Sequence, residues 1–308
     1  MNHRPPAREA GLSLIEMMVT LVIGAFLMIG VIAMFSQTRS TYRTNDTVAR
    51  MQENARFILS QMEPDLRLTG SWGMQNTGPH VEVPAGVTAT CSDGTDATAW
   101  LLDPLTPVAA DDSAYNLPCP PPAATPYLAG TDVLVLRHAS GAQVLPAAGA
   151  VQIQSDRGNS RVFANGAAPA ACCIYDWQTN AYYVSSASSL GATVPSLRRM
   201  TLINGVWQDE ELIAGVENLQ VELGVDTNAD GTVDRYVDPG NALVTPLVDP
   251  SRIMAVRFWL MLRAGQLEVG FTDGATYNFA NVANYAPADR FRRQLLNKTV
   301  VLRNMRSS

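Results

Sequence analysis

Between Leu12 and Phe35 the chain is an almost unbroken apolar run of 24 residues. At about 1.5 Å rise per residue that run makes a helix of about 36 Å, longer than a hydrocarbon core of about 30 Å, so the pattern predicts a membrane-spanning helix. Beyond Phe35 the style changes. Val48, Met51, Ala55, Ile58 and Met62 recur at alternating three- and four-residue spacing and make one apolar stripe, while Arg50, Gln52, Glu53, Asn54, Arg56 and Gln61 cover the other faces. This half of the helix, over 36–69, is predicted to lie against a globular body. Pro64 is expected to end or bend it, and Gly70 to terminate what remains.

From Gly70 to about Pro126 the chain is rich in Pro, Gly, Ala, Ser and Thr, with the run Pro118-Cys119-Pro120-Pro121-Pro122, and little regular structure is expected there. Strand patterns follow at 132–137, 151–154, 161–164, 182–185, 199–203, 216–225 and 253–263. The last alternates best, with Val256, Phe258, Leu260 and Leu262 on one face and Arg257, Trp259, Met261 and Arg263 on the other. No internal repeat is evident. The expected fold is α+β: a long N-terminal helix packed on a mainly antiparallel β-sheet domain over 70–308.

With 308 residues, 47% of them hydrophobic, the chain can bury a sizeable core. Its formal charge of −6 argues against a broad grip on nucleic acid. Chemistry-bearing residues are sparse: the histidines are His3, His80 and His138, and no metalloprotease, serine-hydrolase or phosphate-loop motif is present. This argues against an enzyme. All four cysteines lie beyond residue 90 without metal-ligand spacing, which suits an oxidising compartment. Adjacent Cys172 and Cys173 are poorly placed to bond each other, because neighbouring α carbons are about 3.8 Å apart and a disulfide needs about 4.4 to 6.8 Å. Cys91 is expected to pair with Cys119 across the proline-rich loop; pairing of each with Cys172 or Cys173 is the alternative.

One loop has metal-ligand spacing. Asp226, Asn228, Asp230 and Asp234 put oxygens at alternate positions, Thr232 can offer its carbonyl, and Gly231 permits the sharp turn, a pattern that suits Ca²⁺. The twelfth place is Val237 where a bidentate glutamate would stand. A plain hairpin joining 221–225 to 235–237 around Asp230-Gly231 is the alternative. The tail carries Arg290, Arg292, Arg293, Lys298, Arg303 and Arg306, and reads as a final strand with a solvated charged face in preference to a DNA-binding patch.

Residues 1–11, MNHRPPAREAG, are polar and include Pro5-Pro6, so they stand apart from the helix as a leader. No small-residue cleavage site follows Phe35, and the apolar run is expected to stay on the mature protein. Within it Glu16 is anomalous: an ionised carboxylate in lipid costs on the order of 2 to 3 kcal/mol without a partner, so it either reaches head groups at the interface or pairs with a cation that appears only after processing. Gly11-Leu12-Ser13-Leu14-Ile15-Glu16 resembles the class III leader junction of type IV pilins and pseudopilins. The resemblance implies cleavage after Gly11 by a prepilin peptidase, methylation of the new amino terminus on Leu12, and a 12–35 helix that serves first as membrane anchor and then as filament core. It also implies a partner for Glu16, the amino group of a neighbouring subunit's first residue. The chain departs from the family in having Leu12 where Phe is usual, and in lacking the proline that commonly kinks the apolar half of major pilins.

The stretch Met51 to Gly73, MQENARFILSQMEPDLRLTGSWG, narrows the resemblance to minor pilins of the PilW type. PilW-like proteins often show an acidic loop like the one at 226–234. The resemblance implies a protein held in the inner membrane with its N-terminus cytoplasmic and its C-terminal domain periplasmic. Such a protein helps to initiate type IV pilus assembly and resides at the pilus tip. Its implied partners are other minor pilins, the major pilin, the prepilin peptidase and a PilY-type tip adhesin. A minor pseudopilin of type II secretion is the nearest alternative, and a pilus-borne calcium-dependent adhesin or DNA-binding module the next.

Overall fold

The computed structural model describes residues 13–76, 78–168, 173–244 and 249–305. The chain divides into two compact units, 1–50 and 51–308. A single helix, α1 (Leu14–Leu68), runs through the boundary for 55 residues. In the first unit its apolar side chains, from Leu14 and Ile15 to Met34 and Phe35, are exposed on every side. It is the one helix among the described residues long and apolar enough to cross a membrane. Asp46 pairs with Arg50 at 2.9 Å, one turn apart, in the polar segment that follows.

Pro64 does not end the helix. Its ring removes one hydrogen bond, but the residues around it are anchored: Glu63 pairs with Arg67 at 2.5 Å, Asp65 is held by strand residues, and Leu66 is fully buried. The helix stops at Leu68. Gly70 takes φ +78 and donates its N–H to the Arg137 carbonyl, which carries the chain off the axis. A Cβ at Gly73, also left-handed, would fall 2.6 Å from the Tyr175 ring.

In chain order the strands are β1 (Val81–Glu82), β2 (Thr90–Cys91), β3 (Val108–Asp111), β4 (Val133–Ala139), β5 (Val151–Ser155), β6 (Ser160–Ala164), β7 (Ile174–Ser185) and β8 (Ser196–Ile203). They continue with β9 (Val206–Ala214), β10 (Val216–Val225), β11 (Arg235–Val237), β12 (Ile253–Arg263), β13 (Tyr277–Phe279), β14 (Val282–Tyr285) and β15 (Arg293–Val301). Three sheets result where the patterns pointed to one. The largest runs β1-β6-β5-β7-β8-β9-β2, with β4 on β7 and β3 on β4; the second runs β11-β10-β12-β15; β13 and β14 form a hairpin. All pairings are antiparallel except β1 with β6 and β2 with β9.

The stripe on α1 packs between the two larger sheets. Ala55, Ile58, Met62 and Leu66 share one core with Leu134, Leu136, Tyr182 and Val184 of the first sheet and with Leu219, Val221, Val256, Phe258 and Leu260 of the second. Each such side chain contributes about 1.5 to 3 kcal/mol on burial. β12 keeps its expected inward face, but Met261, on the opposite face, is fully buried as well.

The segment 70–126 is more structured than its composition suggested. It holds β1, β2, the short helix α2 (Thr98–Leu101) and β3, each paired with or packed on distant parts of the chain. A second core explains this: Trp72 stacks on Trp177 at 4.5 Å, and Leu101, Leu102, Trp207, Cys91 and Cys119 lie buried around them. Cys91 and Cys119 form a disulfide across 28 residues, a loop closure worth about 3 to 4 kcal/mol in chain entropy. β7 begins eight residues before the expected 182, because its polar residues are used internally: Trp177 Nε1 and Thr179 Oγ1 both donate to the Leu101 carbonyl.

Candidate functional site

Glu16 lies in the first turn of α1, and among the described residues its neighbours Leu14, Ile15, Met17 and Val19 are all exposed. Thr20 folds back to donate its hydroxyl to the Glu16 carbonyl at 2.9 Å, which satisfies the hydroxyl inside the helix. The processing residues Gly11 and Leu12 lie outside the described residues. The geometry is therefore a bare apolar rod with one carboxylate at its head, a surface that requires lipid or other apolar helices around it.

The acidic loop joins β10 to β11, antiparallel strands in register from Leu223↔Val237 to Val225↔Arg235, so the hairpin expectation holds for the backbone. Asp226, only 4% exposed, accepts the N–H groups of Asn228, Ala229 and Asp230 on Oδ1 and that of Gly231 on Oδ2. Asp230 accepts from the Thr232 N–H and hydroxyl, and Asp234 from the Thr227 N–H and hydroxyl. These bonds favour the ionised forms and hold both carboxyls below the usual range. Asn228 donates to Asp230 at 3.1 Å. Among the described residues no three His, Cys, Asp or Glu side chains form a group that could hold a metal ion. Cys172 lies outside the described residues, and Cys173, in a left-handed turn, offers its carbonyl to the Ser155 N–H.

Three buried ionic clusters went unread in the sequence. Asp65, on the flank of the α1 stripe, accepts from Tyr182 Oη and Asn180 Nδ2, each at 2.6 Å, with His138 Nε2 at 3.5 Å and Arg199 at 3.9 Å. Burial alone would raise this carboxyl, but the His138 ring, Tyr182 and Arg199 outweigh it and hold it low. A carboxylate bordering an apolar stripe, one residue before Leu66, was the available signal. The second cluster corrects the reading of the tail. β15 is a strand, but Arg293 is not on a solvated face: its side chain is 2% exposed and pairs with Glu217, Asp273 and Asp289. Arg292 pairs with Glu268 and Lys298 with Glu63.

The third cluster centres on Asp132, fully buried just before β4, which accepts from the Ser113 and Val221 N–H groups and so ties the two large sheets together. Burial first, and the charges of Asp112 and Asp238 after it, push its pKa up to about 7 against those hydrogen bonds. The folded chain thus binds this proton more tightly than the unfolded one, so the contribution is complete below about pH 4 and is lost as pH rises through about 7. The thermal midpoint is expected to fall between about pH 5 and about pH 8, and Asp132→Asn is expected to flatten that slope. A wild-type midpoint that rises over the same range would contradict this account.

Residues 181–304 match the family described as type IV pilus-assembly protein W, and residues 6–32 match the prokaryotic N-terminal methylation motif. The chain is similar to PilW-type pilins over those residues. The first match runs from the middle of β7 to the end of the chain's ordered strands and includes the acidic loop and the Arg293 cluster; the second spans Gly11, Leu12 and Glu16. A similar solved structure is a type IV-like pilin from Thermus thermophilus, 13% identical, covering 66% of this chain and 87% of that one at a TM-score of 0.31. No curated protein matches the sequence. Pilins are structural proteins, and the two matches point to contact with other pilins and to processing of the leader by prepilin peptidase. The leader motif and the apolar helix indicate membrane anchoring and association with pili.

Proposed function

We propose that this chain is a minor pilin that helps to initiate type IV pilus assembly and resides at the pilus tip with other minor pilins. The observation that carries the reading is the exposed apolar stem with Glu16 at its head, directly behind a leader junction at Gly11 and Leu12. Held in the inner membrane with the sheet domain in the periplasm, the precursor is cleaved after Gly11, and the free amine of Leu12 is methylated. Stems then bundle with those of other pilins, and Glu16 neutralises a neighbour's amino terminus. The protein acts by packing, with no catalytic step. Deleting the gene and scoring surface pili, twitching and secretion separately tests the reading. Loss of pili and twitching supports it; loss of secretion alone assigns the chain to a type II secretion pseudopilus. Pili that assemble normally but fail to adhere or to take up DNA make it an adhesin or a DNA-binding module.

A calcium role for Asp226, Asn228, Asp230, Thr232 and Asp234 rests on their spacing. Titration calorimetry of the full chain in detergent micelles, with and without Asp226→Ala plus Asp230→Ala, is the test. Binding heat in the wild type alone supports the role; silent traces from both remove it.

A further inference from the structure

β15 ends its sheet, and its outer edge is bare. The Leu302 N–H donates to the Met254 carbonyl and the Ala264 N–H to the Arg292 carbonyl, and the β12–β15 register between them is unbroken. Even-numbered residues of β15 therefore spend both backbone groups on β12, and Leu295, Asn297, Thr299 and Val301 turn theirs outward. Among the described residues no strand pairs with that edge. β15 is nine residues long, contains no proline and carries no bulge against β12; of the usual devices that blunt an edge it has only the charges of Lys298 and the inward Arg293.

The flank beside the edge is charged. On one side of the sheet Val300 is buried against the α1 core and Lys298 reaches Glu63 at 3.7 Å, which places α1 alongside β15. Arg56, Glu63 and Arg67 recur at seven and four residues along α1 and so share one stripe. Arg67 and Lys298 share the single carboxylate Glu63, and Arg56 lies two turns before it on the same stripe, in a chain whose formal charge is −6.

We infer that the free edge of β15 accepts an extended acidic segment of a different protein chain, which adds a strand to the sheet and lays its acidic side chains over Arg56, Arg67 and Lys298. Backbone hydrogen bonds along the edge supply affinity, and alternate side chains on the α1 side supply selectivity. A second copy of this chain does not fit. Edge-to-edge pairing of two β15 strands would bring the two Lys298 side chains onto the same face, and the acidic strand β9 already spends Asp209, Glu210 and Glu211 on its own Arg198 and Arg199. Neither Glu16 nor the apolar stem takes part, so a Glu16→Leu chain keeps this surface, and its failure and that of the assembly reading are separable.

The test uses the full chain in detergent micelles and, as probe, a nine-residue peptide of Val and Thr with Glu at alternate positions on one face. Hydrogen exchange followed by mass spectrometry reads the wild type directly: saturating peptide is expected to slow exchange in the 295–301 segment. Asn297→Pro removes an outward N–H while sparing every bond to β12, and is expected to weaken binding at least about tenfold with an unchanged thermal midpoint. Replacing Glu by Lys in the peptide, or raising salt from about 0.05 to about 0.5 M, is expected to weaken binding likewise. The inference is overturned by unchanged exchange in 295–301 at millimolar peptide, by equal binding of acidic and basic peptides, or by a wild-type dimer that Asn297→Pro converts to a monomer.

Discussion

A Glu16→Leu chain is expected to insert in the membrane and lose its leader as the wild type does, yet to be excluded from the assembled complex by at least about a hundredfold. The reason lies in which charges are left in grease. On the proposed reading the lone precursor has only lipid and head groups around Glu16, whose neighbours Leu14, Ile15 and Met17 are exposed, and its removal would cost nothing there. In the proposed bundle of stems the same carboxylate would meet the amine that processing exposes on a neighbour. Leucine leaves that amine buried and uncompensated, at about 3 kcal/mol or more, and each 1.4 kcal/mol is tenfold in an equilibrium constant. Quantitative immunoblots of sheared pili against membranes, for wild type, Glu16→Leu and Glu16→Asp, measure the ratio. Glu16→Asp should recover part of it, since the charge remains and only the reach shortens. Equal incorporation of wild type and Glu16→Leu would end the assembly role given to this residue.

The second large effect belongs to Arg293. Its guanidinium contacts both oxygens of Glu217, meets both oxygens of Asp289 at 2.7 Å and reaches Asp273 at 3.2 Å. Those bonds hold the Asp289 carboxyl down at about 2. Tyr285 and Tyr277, cross-strand partners at the open end of the β13–β14 hairpin, donate to Glu217 and Asp273, so one cation fastens that hairpin to β10. Arg293→Met would leave Glu217 and Asp273 buried without a counter-charge. Breaking a buried pair from one side costs about 3 to 5 kcal/mol, a large fraction of a domain's stability. Chemical denaturation of the full chain in micelles should show that loss. Arg293→Lys should retain the charge but not the planar fork, and recover less than half of it. A Met variant within about 0.5 kcal/mol of wild type would mean that the cluster relaxes by admitting water.

What could be read in advance and what could not separates along physical lines. The stem was legible because membrane length and helical period are properties of consecutive residues: the apolar run and the stripe at Met51, Ala55, Ile58 and Met62 fall inside the observed Leu14–Leu68 helix. The alternation of β12 was legible for the same reason; the Cys91–Cys119 pair was legible from the proline-rich loop it closes, although that segment packs into a second core its composition did not suggest. At Pro64 the sequence left open whether the helix would end or bend; it continues to Leu68, just short of the expected stop at Gly70, because Asp65 and Leu66 are held across the fold. The tail misled. A cluster of arginines usually faces water, and nothing near Arg293 in the chain indicated that Glu217, far upstream, would meet it.

The sequence by itself therefore determined the apolar run, the amphipathic stem and the likeness to PilW-type pilins, because each depends on spacing along a short stretch. Only the tertiary structure decided the division of the described residues into three sheets, the partners of Asp65, the burial of Asp132 and Arg293, and the open edge of β15. Those features depend on which distant strands become neighbours. The energy of a buried charge or an unpaired N–H is set by the groups the fold places around it, and linear order does not record them.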